Sequence, residues 1–343
     1  MDLNFVEFMP FAAILADEAM ALKKEENVLI ATDSRVGRYP GSEPILQAIA
    51  AAMAEREIDF NLVTITGRNV RGKGMPDATV EMILRSDACV ALFSQSFLYT
   101  AAWRKVQLSD RKTRIITLPL GEDIAGTDDM YYNLPKTREE FNALADLGGR
   151  LKERSSGRPH RVHVSAANGT DVVLEIGSLR QEINTGKSLQ PGDMSSIPAG
   201  NLAAGATYGS ANGRIVFDER FNLFKDRFLR DPIQLTVENS CITKIEGGIE
   251  AEAFKNAVDS LPYPKEKILN LAEFGLGFNK GADFFGIDAG EWEKVYGAAH
   301  FGIGSNAPFG GSIDIPFHED GMVAGACVEI DGETVTENGE FCI

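Results

Sequence analysis

The sequence predicts an α/β protein with two domains, an N-terminal α/β domain with a mostly parallel sheet at residues 1–150 and a β-rich α+β domain at residues 151–343. Two observations predict this division. In the first half, short buried-strand patterns alternate with helical patterns, as in parallel sheets that carry helices on their faces. In the second half, short strand patterns follow one another with glycine, asparagine and aspartate between them, which is typical of antiparallel β structure.

The first half begins with an amphipathic helical pattern and then alternates. The predicted strands are NVLIATD, FNLVTIT, ACVALFS and RKTRIITLPL, and the predicted helices between them are PILQAIAAAMAERE and ATVEMILRSD. No glycine-rich phosphate-binding motif follows any of these strands, which disfavours a dinucleotide or ATP site. The loop GRNVRGKGMP offers glycines and basic side chains, so it is either a contact for an anionic group or a solvated surface loop.

A helix is predicted at the domain boundary. Thr137 is a candidate N-cap, and Glu140 follows three residues later, as in a capping box. Beyond it, His160 and His163 lie in the first strand pattern of the second half. Because residues three apart on a strand face opposite sides, we expect these two histidines not to bind one ion together.

The composition limits the kinds of partner. The chain has 343 residues with 34 Lys and Arg against 50 Asp and Glu, a formal net charge of -16, which disfavours nucleic acid. We therefore expect a small-molecule substrate. Four scattered cysteines without CxxC spacing favour reduced thiols and a cytoplasmic location. No signal-peptide pattern and no apolar run of about 18 residues is present, so we expect no membrane association.

Metal-ligating residue types are concentrated near the C-terminus. Glu273 is the one ionisable residue of the run LNLAEFGLGFN, where it is either a paired or cation-bound carboxylate or a hydrated strand end. His300 lies among small residues in VYGAAHFGIGSN, as a ligand or as a packed core residue. His318 and Asp320 in DIPFHEDGM are two apart, so on an extended segment both face one side and can clamp a metal.

These four residues supply two imidazoles and two carboxylates. This set suits Fe(II), Mn(II), Co(II) or Zn(II) better than Ca(II). Glu319 and Asp314 are then expected to face solvent or to orient an imidazole. A Ser-His-Asp or Cys-His site has less support, because no nucleophile elbow or recognised cysteine context is present.

Several short motifs, in order and spacing, resemble the superfamily of aminopeptidase T metallopeptidases and 2,5-dihydroxypyridine 5,6-dioxygenases. They are SSIPAGNLAAGA, GGIEAE, AEFGLGFN and the FGG to H-x-D ending. The resemblance implies an N-terminal α/β domain, a C-terminal metal-binding catalytic domain and a homodimer. It also implies that Glu273, His300, His318 and Asp320 occupy metal-binding positions of the aminopeptidases.

The chain departs from both branches of the superfamily. Asn201 stands where the aminopeptidases have a glutamate, and Ala307 where they have a tyrosine. The dioxygenases hold one iron with two histidines and an aspartate. His318 and Asp320 match two of these ligands, but Glu273 stands at the third, so either Glu273 replaces that histidine or His300 completes the set.

The favoured hypothesis is a non-haem Fe(II) dioxygenase that opens a small hydroxylated aromatic or N-heteroaromatic ring, with Glu293 as the catalytic base. The alternative is a metal-dependent hydrolase of a small amide or peptide, in which Glu293 takes a proton from metal-bound water. A third hypothesis is a non-catalytic binding protein whose H-x-D pair is structural.

Overall fold

The computed structural model describes residues 4–35, 42–67, 74–94, 100, 102, 105–106, 108–110, 112–119, 134–224, 227–286 and 289–343. Most of the loop GRNVRGKGMP lies outside the described residues. The chain forms two compact units. The first is Met1–Ala145 with Asn184–Ala199, and the second is Asp146–Ile183 with Gly200–Ile343.

The elements are numbered in chain order over the described residues. The helices are α1 (Phe5–Ile14), α2 (Ser42–Glu55), α3 (Asp77–Arg85), α4 (Arg138–Ser155), α5 (Ile249–Ser260), α6 (Lys265–Ile268) and α7 (Ala289–Trp292). The strands are β1 (Val28–Asp33), β2 (Phe60–Ile65), β3 (Ala88–Phe93), β4 (Arg114–Pro119), β5 (His160–Ser165), β6 (Asp171–Ile176), β7 (Gln181–Asn184), β8 (Met194–Ser196), β9 (Asn201–Gly205), β10 (Asn212–Phe217), β11 (Ile233–Glu238), β12 (Cys241–Gly247), β13 (Leu271–Gly277), β14 (Ala299–Gly304), β15 (His318–Val323), β16 (Cys327–Ile330), β17 (Glu333–Glu337) and β18 (Glu340–Phe341).

The first unit contains a five-stranded sheet in the order β2-β1-β3-β4-β8. All four of its strand pairs are parallel. Strands β1 and β3 are buried along their whole length, as expected for the centre of a sheet with both faces covered. The mostly parallel sheet predicted from the sequence is confirmed.

The second unit contains two sheets with antiparallel pairing. An eight-stranded sheet has the order β12-β11-β10-β6-β5-β16-β17-β18, and a five-stranded sheet has the order β15-β14-β13-β9-β7. The pairs around β13 and β14 are all antiparallel. The mixed α/β fold class, with a β-rich second half, is therefore confirmed.

The sequence-based boundary is at residue 150, whereas the second unit begins at Asp146 and a later segment returns to the first unit. Residues 184–199, which the sequence pattern assigned to the second domain, belong to the first unit. The physical reason is strand pairing, because β8 adds to the edge of the parallel sheet beside β4. A three-residue strand carries too weak a pattern to show which sheet it joins.

The predicted capping box at the start of α4 is present. The Glu140 backbone N–H donates to Thr137 Oγ1 at 3.1 Å, and the Thr137 N–H donates to a Glu140 carboxylate oxygen at 3.1 Å. In β5, His160 is paired with Asp331 and His163 with Asp171, so each histidine has its own acidic partner. Across the described ranges, every helix is too short or too polar to cross a bilayer.

Candidate metal centre

Three neighbouring strands bring the predicted ligands onto one face of the five-stranded sheet. Glu273 on β13 is opposite Gly302 on β14, and Gly302 is opposite Asp320 on β15. His300 and His318 lie on the same face, because His300 precedes Gly302 by two residues and His318 precedes Asp320 by two. The H-x-D pair is therefore on one strand face, as its spacing predicts.

Glycines make room for the imidazole rings on this face. A Cβ atom at Gly275 would lie 1.9 Å from Cε1 of His300 and 2.0 Å from Nε2. A Cβ atom at Gly302 would lie 2.7 Å from Nε2 of His318 and 2.8 Å from Cβ of Glu273. Both rings thus lie against backbone that only glycine leaves open. The sequence showed small residues around His300 but did not single out Gly275 and Gly302. The pattern that could have identified them is a glycine two residues after an ionisable residue, as in Glu273-x-Gly275 and His300-x-Gly302.

The side chains of Glu273, His318 and Asp320 converge on one point. Nε2 of His318 is 3.0 Å from Oε2 of Glu273 and 3.2 Å from Oδ1 of Asp320. One ligand atom from each residue lies within 4.8 Å of the other two. Glu273 and Asp320 are buried, and His318 is partly buried. These three residues form the candidate metal centre.

The hydrogen bonding of His318 shows that this centre suits a cation. Nδ1 lies 2.7 Å from the backbone carbonyl oxygen of Ser305. Because a carbonyl oxygen only accepts, Nδ1 carries the hydrogen, and the neutral ring presents a lone pair at Nε2. That lone pair faces two carboxylates, an arrangement that is stable only with a proton or a metal ion at Nε2. The role of the Ser305 carbonyl was not predicted, because a contact to a backbone oxygen has no pattern in the amino-acid sequence.

The pKa values reflect the same convergence of charge. Burial opposes ionisation of Glu273, but hydrogen bonds from His300 and His318 outweigh it and hold its pKa at about 2. Burial also lowers the pKa of His318, but the charges of Asp320 and Glu273 raise it well above its ordinary value. The site therefore stabilises positive charge at Nε2 of His318.

The structure places His300 beside this group of three but not in it. His300 is fully buried, and Nε2 lies 3.3 Å from Oε1 of Glu273, the carboxylate oxygen that is not nearest His318. Among the described residues, Nδ1 of His300 has no hydrogen-bond partner. Burial lowers its pKa, but the hydrogen bond with Glu273 and the nearby acids raise it overall.

Glu293 follows the buried Trp292 at the end of α7. Burial and the charges of Asp320 and Glu273 raise the pKa of Glu293, those of His300 and Lys294 lower it, and the net value is about 7. Trp292 packs with Met322, which is opposite His300 and shares its sheet face. The charges of the candidate centre thus act on Glu293, whose side chain is partly exposed.

Asp314 and Glu319 are the other two acids considered from the sequence. Asp314 is exposed, and Glu319 alternates to the opposite face of β15.

Comparison with known proteins identifies the family. A family model described as 2,5-dihydroxypyridine 5,6-dioxygenase matches residues 21–343. The chain belongs to this family. The resemblance inferred from the sequence motifs is thereby confirmed.

One characterised relative is the 2,5-dihydroxypyridine 5,6-dioxygenase of Pseudomonas putida, 26% identical over 190 residues. The aligned region is 52% of this chain and spans about half, 53%, of that protein. Two solved structures share the fold along nearly the whole chain. The 2,5-dihydroxypyridine dioxygenase from Pseudomonas putida KT2440 has a TM-score of 0.79 at 18% identity, covering 99% of this chain and 98% of that one. AmpT from Thermus thermophilus has a TM-score of 0.63 at 13% identity, covering 98% and 99%.

Proposed function

We propose that this protein is a metal-dependent dioxygenase that opens the ring of a small hydroxylated aromatic or N-heteroaromatic compound, with Fe(II) as the metal. The observation that carries the proposal is the convergence of Glu273, His318 and Asp320 on one sheet face in a chain of this family. The relative in Pseudomonas putida is named for a dihydroxypyridine, which makes ring diols of that kind the first substrates to test.

The residues of the centre have distinct roles in this proposal. Glu273, His318 and Asp320 hold the metal, with the His318 ring oriented by the carbonyl oxygen of Ser305. Fe(II) bound by these three residues would supply the chemistry that activates O2 and would bind a ring diol.

Glu293 is proposed as the general base that takes the hydroxyl proton of the substrate. A base works best when its pKa is near the operating pH, and burial raises the pKa of Glu293 to about 7. Its side chain is partly exposed, so a bound substrate can reach it. A carboxylate held at this pKa can accept a proton at neutral pH and release it again when the product leaves.

The test begins with elemental analysis of protein purified without chelator. We expect one iron per chain, and O2 uptake when Fe(II)-loaded protein is given a panel of dihydroxypyridines and other ring diols. No O2 uptake with any ring diol would count against the proposal. Cleavage of aminoacyl anilides or small amides under nitrogen would support a hydrolase instead, because that chemistry needs no O2.

The homodimer, the cytoplasmic location and the small-molecule partner stay predictions. Light scattering of the purified protein checks the first of these, with a mass of twice 37.2 kDa as the expected result.

A further inference from the structure

We propose that the metal is held by one imidazole and two carboxylates, with His300 serving as a positioning residue for Glu273. We further propose that this set, which accommodates the Fe(II) of the proposed function, binds Mn(II) better relative to Zn(II) than a site with a second histidine would. The proposal depends on the proposed function only in requiring that this site binds a metal. It goes beyond that function, because it assigns a role to His300 and a relative metal preference to the site, both independently of the reaction.

The two histidines differ in the hydrogen bonding of Nδ1. His318 donates from Nδ1 to the Ser305 carbonyl oxygen, which leaves the Nε2 lone pair free for a metal. His300 has no such acceptor at Nδ1 among the described residues. Its hydrogen is therefore favoured on Nε2, where Oε1 of Glu273 accepts it at 3.3 Å. A nitrogen that donates a hydrogen bond has no lone pair for a metal. Nδ1 keeps its lone pair, but His300 does not belong to the group whose ligand atoms lie within 4.8 Å of one another.

The carboxylate of Glu273 lies between the two imidazole rings. Oε1 of Glu273 faces His300, and Oε2 faces His318. One oxygen is thus held by His300 while the other is directed at the point where His318 and Asp320 converge. Support of a ligating carboxylate by a hydrogen-bond donor is the usual outer-shell arrangement in metal sites.

The His300 ring is confined where it lies. It is fully buried, and its Cε1 and Nε2 atoms occupy the space that a side chain at Gly275 would take. The ring lies against the backbone of β13, the strand that carries Glu273. This packing holds the donor beside Oε1.

The consequence concerns charge and ligand type. Two carboxylates and one neutral imidazole balance the charge of a divalent cation, whereas two imidazoles and one carboxylate leave a net positive charge. Carboxylate oxygens suit Mn(II), while imidazole nitrogens suit Zn(II), Cu(II) and Fe(II). Glu273 therefore favours Mn(II) relative to a site with a second histidine at this position.

The first experiment counts the coordinated imidazoles. Chelator-treated protein is loaded with Mn(II), and electron spin-echo envelope modulation is recorded for the wild type and for Glu273→His. We expect one coordinated imidazole nitrogen in the wild type and two in the variant. Two in the wild type would make His300 a ligand and overturn the proposal.

The second experiment measures metal preference by competition between Mn(II) and Zn(II). The Zn(II) affinity exceeds that for Mn(II) in most nitrogen and oxygen sites, so the informative quantity is the ratio of the two. We expect Glu273→His to shift this ratio toward Zn(II) by about tenfold or more. An unchanged ratio, or a shift toward Mn(II), would overturn the assigned preference.

The third experiment separates positioning from ligation. His300→Gln keeps an N–H that can donate to Glu273, whereas His300→Leu removes it. We expect His300→Leu to weaken Mn(II) binding by about 10- to 100-fold and His300→Gln to retain most of the affinity. Equal losses in both, as large as the loss in His318→Gln, would mean that His300 is a ligand.

The matched control is His160→Gln, which changes another buried histidine with an acidic partner in the same unit. It should leave Mn(II) affinity unchanged, and melting temperatures show that each variant is folded. The two proposals also fail differently. A wild type that binds no metal overturns both, whereas one coordinated imidazole without O2 uptake from any ring diol overturns only the proposed function.

Discussion

Strands β1 and β3 of the first unit and strands β13 and β14 of the second are buried along their whole length, yet their sequences differ. ACVALF is wholly apolar, and VLIATD is apolar up to Thr32 and Asp33 at its C-terminal end. LAEFGLG and AHFGIG are apolar on one face, whereas the other combines Glu273 and His300 with glycines. A buried strand can therefore carry ionisable groups when glycine provides the space and the groups neutralise one another.

This difference separates the consequences of substitution in the two regions. In the parallel sheet, a truncated side chain leaves a cavity and costs stability. On the glycine-bearing face of the second unit, a substitution removes a charge partner or fills the space of a ring. The first effect is measured by unfolding, and the second by metal binding.

Removal of a ligand should have the largest effect. In His318→Ala the metal loses its nitrogen donor, and Glu273 and Asp320 lose the partner that lies between them. We expect metal affinity to fall by more than about 100-fold, beyond the range for outer-shell residues. Elemental analysis after purification without chelator is the measurement, and wild-type metal content in this variant would show that the ion binds elsewhere.

Truncation in the parallel sheet should have the opposite profile. Ile30 is fully buried in β1, between β2 and β3. Ile30→Ala should lower the free energy of unfolding by about 2–5 kcal/mol because it leaves a cavity. Denaturant unfolding measures this loss, and metal content per folded chain should equal that of the wild type. Metal loss from folded Ile30→Ala would contradict the view that substitutions in the parallel sheet affect stability alone.

A pair of identical substitutions at two glycines should have opposite effects. Gly275→Ala places a Cβ atom on the His300 ring, so we expect a stability loss of about 1–3 kcal/mol together with weaker metal binding. Gly149→Ala, inside α4, meets no atom within 4 Å and should stabilise by about 0.5–1 kcal/mol. Unfolding curves and metal titrations of both variants test this, and equal behaviour would contradict the role given to Gly275.

Much of the first unit was predictable because its elements are locally encoded. Unbroken apolar runs such as NVLIATD and ACVALFS, with helical patterns between them, predict parallel strands at the observed positions. The capping box of Thr137 and Glu140 was also predictable, since its hydrogen bonds join residues three apart. The segment 184–199 was not, because its strand pairing is set by a distant partner, β4.

The candidate centre was predictable in residue type but not in arrangement. The H-x-D spacing places His318 and Asp320 on one strand face whatever the rest of the fold. The positions of Glu273 and His300 depend on strand register, because a shift of one residue would move both side chains to the opposite face of the sheet. The sequence therefore left the third ligand open. The contacts of His300 with Glu273 and of His318 with Ser305 distinguish the two histidines.

The smallest expected effect is the pH dependence of Glu293. Its folded pKa of about 7 lies above the ordinary value of 4.5, mainly because of burial. An acid with a raised pKa destabilises the folded state when it ionises, so the cost is absent below about pH 4.5 and complete above about pH 7. In chelator-treated protein, Glu293→Gln should therefore match the wild type at low pH and exceed its stability by about 1 kcal/mol above pH 7, allowing for solvent screening.

The same residue should control the pH profile of the metal-loaded enzyme. Since the proposed base must be ionised to take a proton, wild-type turnover should rise with pH through the pKa of Glu293, which a bound cation lowers from its metal-free value of about 7. This rise should be absent in Glu293→Gln. Asp314→Asn is the matched control, because Asp314 is exposed on the chain just before the centre. If Glu293→Gln keeps both the rise and the turnover, the proton is taken by another group, and the burial of Glu293 is structural.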